Sequence, residues 1–290
     1  MSKFRKKKLN KFLITALAAT VISYLPFTGG ENLIFAAETV ADDVQTQDTA
    51  LVMGVSDEVT KKIFPFSVEA RFFSPHFNAN VKSDKISYNG GSVNLKDDLG
   101  FGNNNAPEII LRYKRFTMDY FCVKGSGDKT FSGRDVLTFG GSRYRGTVNS
   151  DSELHYLKLN ITNPIISKLG TGLDWSYGIT GMYWKGSVDG QDIRGRHESR
   201  SEEYAVPIPT LGIGVHTELL PELKAYANIS GLYAGHYGHF YDFEAGIRYN
   251  PTERFGITAG YRKIDVKVEH KNDHGKMTLN GPFAGLRFDF

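Results

Sequence analysis

One cysteine, two tryptophans and ten prolines are all that 290 residues contain of these types, and no acidic residue occurs among the first thirty. A single cysteine, Cys122, excludes a disulfide framework and a Cys-rich metal site. Its distance from the amino terminus argues against an acyl anchor on a cysteine next to a cleavage site. Long apolar runs are also missing. The run from Phe12 to Leu25 is about 14 residues, short of the ~18 to 20 a spanning helix needs, and no later stretch is long enough or free enough of charge. The chain therefore crosses no membrane as a helix. Its mean hydropathy is slightly negative, −0.32, where a soluble domain of this size shows longer core runs.

The missing acids at the start go with six bases, Lys3, Arg5, Lys6, Lys7, Lys8 and Lys11, ahead of the apolar run, with Pro26 and Gly29-Gly30 behind it. That is the layout of a signal peptide. The expected division is a signal peptide over residues 1–37, cut somewhere between 30 and 41, then a polar periplasmic leader over 38–63, then one β domain over 64–290. The leader is expected to end in a short helix around Ser56 to Ile63. Six of the 35 Lys and Arg lie in the signal, which leaves 29 against 32 Asp and Glu in the rest. A net charge near −3 gives nucleic-acid binding no support, whatever the whole-chain pI of 8.7 suggests.

What the sequence has in quantity is aromatic residues and glycine, with Phe 20, Tyr 15 and Gly 31, set out in alternation. Val68, Ala70 and Phe72 alternate with Glu69, Arg71 and Phe73, and Ile109, Leu111 and Tyr113 with Glu108, Ile110 and Arg112. Tyr120 and Cys122 fall opposite Asp119 and Phe121, Leu157 and Leu159 opposite Lys158, and Trp175 and Tyr177 opposite Asp174. Later, Tyr241, Phe243, Ala245, Ile247 and Tyr249 oppose Asp242, Glu244 and Arg248. This period of two predicts about ten strands, with eight as the alternative if Ala225 to Tyr249 folds differently. Tight turns at Tyr113 to Phe116, Leu219 to Leu223 and Asn250 to Phe255, and a looser one at Asn163 to Thr171, alternate with long polar stretches at Ser83 to Ala106, Gly125 to Thr147 and Asp189 to Ala205. Short turns on one rim and long loops on the other predict an all-β, antiparallel up-and-down transmembrane barrel with both chain ends on the short-turn side.

Alternation alone leaves open a soluble barrel with its apolar face inward. The export signal, the aromatics near strand ends and the final strand, which ends in Phe288 and Phe290, favour an apolar face toward lipid. The lumen then collects Glu69, Glu108, Asp119, Asp174, Glu218, Asp242, Glu244 and Asp289 against Arg71, Arg112, Lys158, Lys224, Arg248, Arg262 and Arg287. An unpaired charge in a narrow barrel costs several kcal/mol, so this near balance predicts a charge-paired interior and not a wide channel.

Candidate chemistry outside the lumen is thin. His236 and His239 lie near Asp242, but omptin proteases use an Asp-His pair and a second aspartate pair at the outer rim, and no such set occurs here. His155 near Ser152, or His216 near Thr217, could be forced into the His-Ser pair of a lipid A deacylase. Asp97-Asp98 and Asn103 to Asn105 offer oxygen ligands without the spaced acids of a calcium loop, and read as an Asx turn. Arg194, Arg196, His197 and Arg200 could meet lipopolysaccharide phosphates, yet Glu198, Glu202 and Glu203 interleave them as in a solvated loop. No catalytic residue, metal or cofactor is assigned.

The closing strand Gly281 to Phe290, the period-2 segments and the run Leu95 to Phe101 leading into Pro107-Glu108-Ile109-Ile110-Leu111-Arg112-Tyr113 resemble the small outer-membrane β-barrel proteins of diderm bacteria. The resemblance is one of pattern over Phe66 to Phe290. It implies residence in the cell outer membrane, contact with outer-membrane lipids and lipopolysaccharide, and recognition of the terminal strand, with Phe288 and Phe290, by the barrel-assembly machinery. It leaves the role open among a structural or surface-interaction protein, a narrow solute or ion pore, and a rim enzyme acting on lipid A or peptides.

Overall fold

The computed structural model describes residues 65–99, 105–168, 170–270 and 273–290. The expected signal peptide, the polar leader and its short helix lie outside these residues.

Among the described residues fourteen strands follow one another in a single antiparallel sheet: β1 (Phe66–Phe73), β2 (His76–Lys82), β3 (Ile86–Tyr88), β4 (Val93–Asn94), β5 (Ala106–Tyr113), β6 (Phe116–Phe131), β7 (Leu137–Phe139), β8 (Ser142–Lys168), β9 (Thr171–Asp192), β10 (His197–Leu220), β11 (Leu223–Tyr233), β12 (Gly238–Tyr249), β13 (Phe255–His270) and β14 (Asp273–Asp289). Ten of them, all but β2, β3, β4 and β7, form the ring, which β1 closes by pairing with β14, Ser67 opposite Asp289 through Phe73 opposite Phe283. Beyond a break at Ser74 and Pro75, β2 carries the same seam upward along β14. The eight-stranded alternative is thereby excluded.

Both described ends lie on the short-turn rim, where the rings of Phe66 and Phe290 stand 5.8 Å apart and the Phe290 N–H donates to the Phe66 carbonyl at 2.8 Å. On this rim β5 and β6 are joined by Lys114 and Arg115 alone. The turn expected at Asn163 is displaced, because β8 runs on through Pro164 to Lys168 with an irregularity between Pro164 and Ile166. A bulge is where a strand tolerates proline, since the missing N–H then costs no ladder bond.

The opposite rim departs further from expectation. The polar stretches after Gly125 and Asp189 are strands, not loops. β6 stays paired with β8 as far as Phe131 opposite Gly146, and β9 with β10 as far as Gln191 opposite His197. β8, β9 and β10 reach 27, 22 and 24 residues, far more than the ~9 to 11 that cross a bilayer, so the wall continues well past the membrane. The reverse turn from β7 to β8 uses Gly140 and Gly141, both at positive φ (59° and 83°), which is the backbone a two-residue hairpin turn demands.

The outer face carries the apolar band. Phe72, Ile109, Tyr120, Leu157, Ile179, Leu211, Ile213, Phe243, Ile247 and Leu286 are all exposed, with Tyr113, Phe116, Trp175, Tyr249 and Phe288 toward the short-turn rim. On β12 the band runs from Tyr249 to Tyr241, about 27 Å along the strand at ~3.4 Å per residue, or about 20 Å of height at a tilt near 40°. Above it the outward positions turn polar. Lys124, Glu153, Lys185 and Glu203 stand side by side across β6, β8, β9 and β10.

The inner face has two layers. The lower is charged. The upper, contrary to the expectation of a wholly ionic lumen, is apolar: Phe73, Phe77, Val123, Leu154, Met182, Ile208, Phe240, Ile264, Leu279 and Phe283 are buried there. The first outer segment folds into its mouth. β4 pairs with β2, and β3 with β7, so the chain between is tied at two points and sinks Ile86, Val93, Leu95 and Leu99 onto this layer. Lys85 then reaches across to Glu202 on β10 at 3.1 Å, and Ser150 on β8 donates to the Leu99 carbonyl at 2.8 Å. Each such aliphatic side chain contributes about 1.5 to 3 kcal/mol on full burial, which is what holds the segment down.

Candidate functional site

The charged layer is centred on Arg262 of β13, whose side chain is 1% exposed. Its Nε donates to Asp242 Oδ1 at 3.0 Å, Nη2 lies 2.9 Å from Asp242 Oδ2 and 2.8 Å from Asp119 Oδ2, and Nη1 pairs with Glu108. The cation lies 5.0 Å from the ring centre of Tyr156 and 5.3 Å from that of Phe121, which stack on each other at 4.6 Å. Lys158 and the Tyr156 hydroxyl also donate to Asp242 Oδ2, at 2.8 and 2.7 Å, and Lys158 donates to Ser230 at 2.7 Å.

A second centre adjoins it at Glu69. Arg71 Nε and the Thr258 hydroxyl both donate to Glu69 Oε1 at 2.6 Å, and Arg112 donates to Oε2 at 2.6 Å. Arg71 bridges the two centres, 2.9 Å from Glu244 and 3.6 Å from Glu108, with its cation 4.4 Å from the centre of the Phe283 ring. Small residues make this possible. A Cβ on Gly285 would meet the Arg71 Cγ at 2.6 Å, and one on Gly260 would meet the far end of the Phe283 ring at the same distance.

Nine of the fifteen charges expected in the lumen thus share one network: Glu69, Arg71, Glu108, Arg112, Asp119, Lys158, Asp242, Glu244 and Arg262. The others stand apart near the short-turn rim. Arg287 pairs with Asp289 at 2.7 Å, Lys224 with Glu218 at 2.6 Å, and Asp174 with His216 at 3.1 Å, while Arg248 lies over the Tyr226 ring at 5.5 Å. Sequence reasoning missed the uncharged members, Tyr156, Thr258 and Ser230. Each stands at an inward position of the alternation, which is the one signal they gave.

None of the catalytic candidates assembles. Ser152 faces inward and accepts from Trp184 Nε1 at 2.8 Å, whereas its expected partner His155 points outward. His216 takes Asp174, and Thr217 meets Thr171 at 2.9 Å instead. His239 lies on the face opposite Asp242 and pairs with Asp265 at 2.6 Å, and the His236 ring packs against Tyr237 at 3.9 Å. At Asp97-Asp98, the Asn94 side chain accepts from the Lys96 and Asp97 amides at 2.9 and 3.0 Å, the expected Asx turn. Arg196 and Arg200 of the β9 to β10 tip are held by Asp192 and Glu198. Asp192 also accepts both tip amides, from Arg196 at 2.8 Å and Arg194 at 2.9 Å; the Arg196 amide first, then the Arg196 guanidinium and the Arg194 amide, lower its pKa against the opposing effect of burial. Among the described residues one group of potential metal ligands converges, Cys122, Glu153 and His155 on the outer wall.

No family model and no curated protein matches the chain. Among solved structures, the outer membrane protease OmpT from Escherichia coli aligns at 9% identity over 80% of this chain and 99% of its own, with a TM-score of 0.49. Ail, the attachment invasion locus protein of Yersinia pestis, aligns at 15% identity over 78% of this chain and 100% of its own, with a TM-score of 0.34. The translocator domain of the autotransporter NalP from Neisseria meningitidis aligns at 9% identity over 81% and 92%, with a TM-score of 0.37. Independently of these likenesses, the closed antiparallel ring, the apolar outer wall and the short-turn rim holding both described ends give the chain the fold of the small outer-membrane β-barrels.

Proposed function

We propose that the chain is an integral protein of the outer membrane with a closed lumen, and that it serves a structural or surface-interaction role without catalysis. The observation that carries this reading is the double filling of the barrel. A charge-paired layer occupies its lower interior and an apolar plug its mouth, so neither water nor a solute has a continuous polar path. The wall lies among outer-membrane lipids, lipopolysaccharide surrounds the polar ladder above the band, and β14 with Phe288 and Phe290 is the element offered to the assembly machinery. What faces outward is a rigid extension of β6, β8, β9 and β10, suited to presenting their tips to an external partner.

The test is conductance of the refolded barrel in a planar bilayer. A sealed lumen gives no discrete openings at voltages where porins conduct. Stable, reproducible steps would replace this reading with a narrow solute or ion pore.

A further inference from the structure

We infer that the outer wall carries a binding site for a zinc-class divalent cation, formed by Cys122 of β6 with Glu153 and His155 of β8. The three ligand atoms all lie within 4.8 Å of one another. Glu153 Oε1 is 3.6 Å from the Cys122 sulfur and 3.3 Å from His155 Nε2. Tetrahedral zinc, with bonds of about 2.3 Å to sulfur and about 2.0 to 2.2 Å to nitrogen and oxygen, sets its ligands about 3.6 Å (S to O) and about 3.4 Å (N to O) apart. The two measured edges already match those of a coordination tetrahedron.

The sequence hides this site because it depends on register. Cys122 stands directly opposite His155, and Lys124 opposite Glu153, so two neighbours on β8 converge on one cysteine of β6. Thiolate, imidazole and carboxylate together suit zinc and its first-row neighbours better than magnesium or calcium, which prefer all-oxygen sets. The imidazole is also oriented. His155 Nδ1 lies 2.9 Å from the Tyr120 hydroxyl. The tautomer that donates Nδ1–H to that oxygen leaves the Nε2 lone pair toward Glu153, the arrangement metal-binding histidines usually adopt.

Three protein ligands leave a fourth position. Just above the site a groove of about 290 Å³, lined by Lys124, Ser126, Asp151 and Lys185 among others, opens along the wall. This lies where the apolar band gives way to polar residues, so the open position faces the headgroup level of the outer leaflet, and water fills it in the resting site. Lys124, 3.0 Å from Glu153, is the built-in competitor for the carboxylate.

Cobalt titration of the folded barrel in detergent micelles tests the site, with Co²⁺ as the spectroscopic probe. Expected are one equivalent bound, intense visible bands of a four-coordinate ion, and a near-ultraviolet sulfur-to-cobalt transition, all displaced by Zn²⁺. Cys122→Ser removes the sulfur transition, and His155→Ala abolishes the visible bands. Tyr120→Phe weakens binding about 10- to 100-fold, because the imidazole loses its positioning partner. Lys124→Ala tightens it. Zinc also slows maleimide modification of Cys122, a readout that needs no cobalt. No visible band, or a spectrum unchanged in Cys122→Ser, overturns the proposal. Heat-dependent gel mobility of each variant verifies that the barrel has folded.

Discussion

Replacing Arg262 with Met probes the lumen network at the point where most of it converges. The side chain keeps the aliphatic half of its length but loses the guanidinium that lies against Phe121 and Tyr156, and three carboxylates lose their shared cation. The losses are unequal. Asp242 retains Lys158 and Tyr156, and Glu108 retains Arg71 at 3.6 Å, whereas Arg262 is the cation that lies 2.8 Å from Asp119. Removing one partner of a buried ion pair costs about 3 to 5 kcal/mol, chiefly through the charge left behind. That range is therefore the expected loss. If orphaned Asp119 is its source, Arg262→Met with Asp119→Asn recovers part of it, with a coupling of about 1 to 3 kcal/mol. Urea unfolding in lipid vesicles, followed by the fluorescence of Trp175 and Trp184, gives both numbers. A single-variant loss under about 1 kcal/mol, or a double variant no more stable than the single, would show that the charges are hydrated and independent, and the closed-lumen reading would lose its basis.

Three further outcomes follow from the same geometry. Leu95→Asp with Leu99→Asp releases the plug, so that protease cuts at Lys96 while conductance stays at baseline because the ionic layer still fills the barrel; discrete openings would mean that the plug is the only seal. Asp192 has a folded pKa below its unfolded value of about 3.9, so its contribution to the β9 to β10 tip is complete above that value and fades as pH falls through the lowered folded one. Hydrogen exchange of the Arg194 and Arg196 amides should accelerate in that acid window, and Asp192→Ala should show the fast rate at every pH; equal rates in wild type and variant would remove the capping role. Deleting Phe290 takes away its amide bond to Phe66 and the ring contact beside it, and should lower the yield of heat-modifiable barrel on refolding, whereas an unchanged yield would show that these contacts add nothing to closure of the ring.

The faces of the strands were legible because lipid enforces a period of two. Phe72 and Phe73 separate as the alternation requires, one exposed and the other buried. The same rule could not show that the upper interior is apolar, since Phe73 was read only as the other face of a strand. It failed again above the membrane, where both faces of a hairpin are free to be polar, so that Ser126 to Thr130 looked like loop although every residue there is paired with β8. The charged lumen residues were visible, but their partners were not. Arg262 and Glu108 lie 154 positions apart, and only the closed ring sets them side by side. Cys122, Glu153 and His155 were invisible as a group because only the register of β6 on β8 brings them together.

The seam between the first and last strands carries one more consequence. Every other junction in the ring joins the same two strands along its whole length, with two register shifts between β8 and β9 and one between β10 and β11, but here β1 gives way to β2 at Ser74 and Pro75, opposite Gly281 and Pro282. Two prolines within one stretch of seam remove two amide donors, and a single bond, Ser74 N–H to the Pro282 carbonyl at 3.0 Å, spans the gap. An opened edge in hydrocarbon exposes unpaired backbone along its whole length, so separation has to start where the fewest bonds are broken. Within this seam the gap at Pro75 is therefore the point of least resistance to parting.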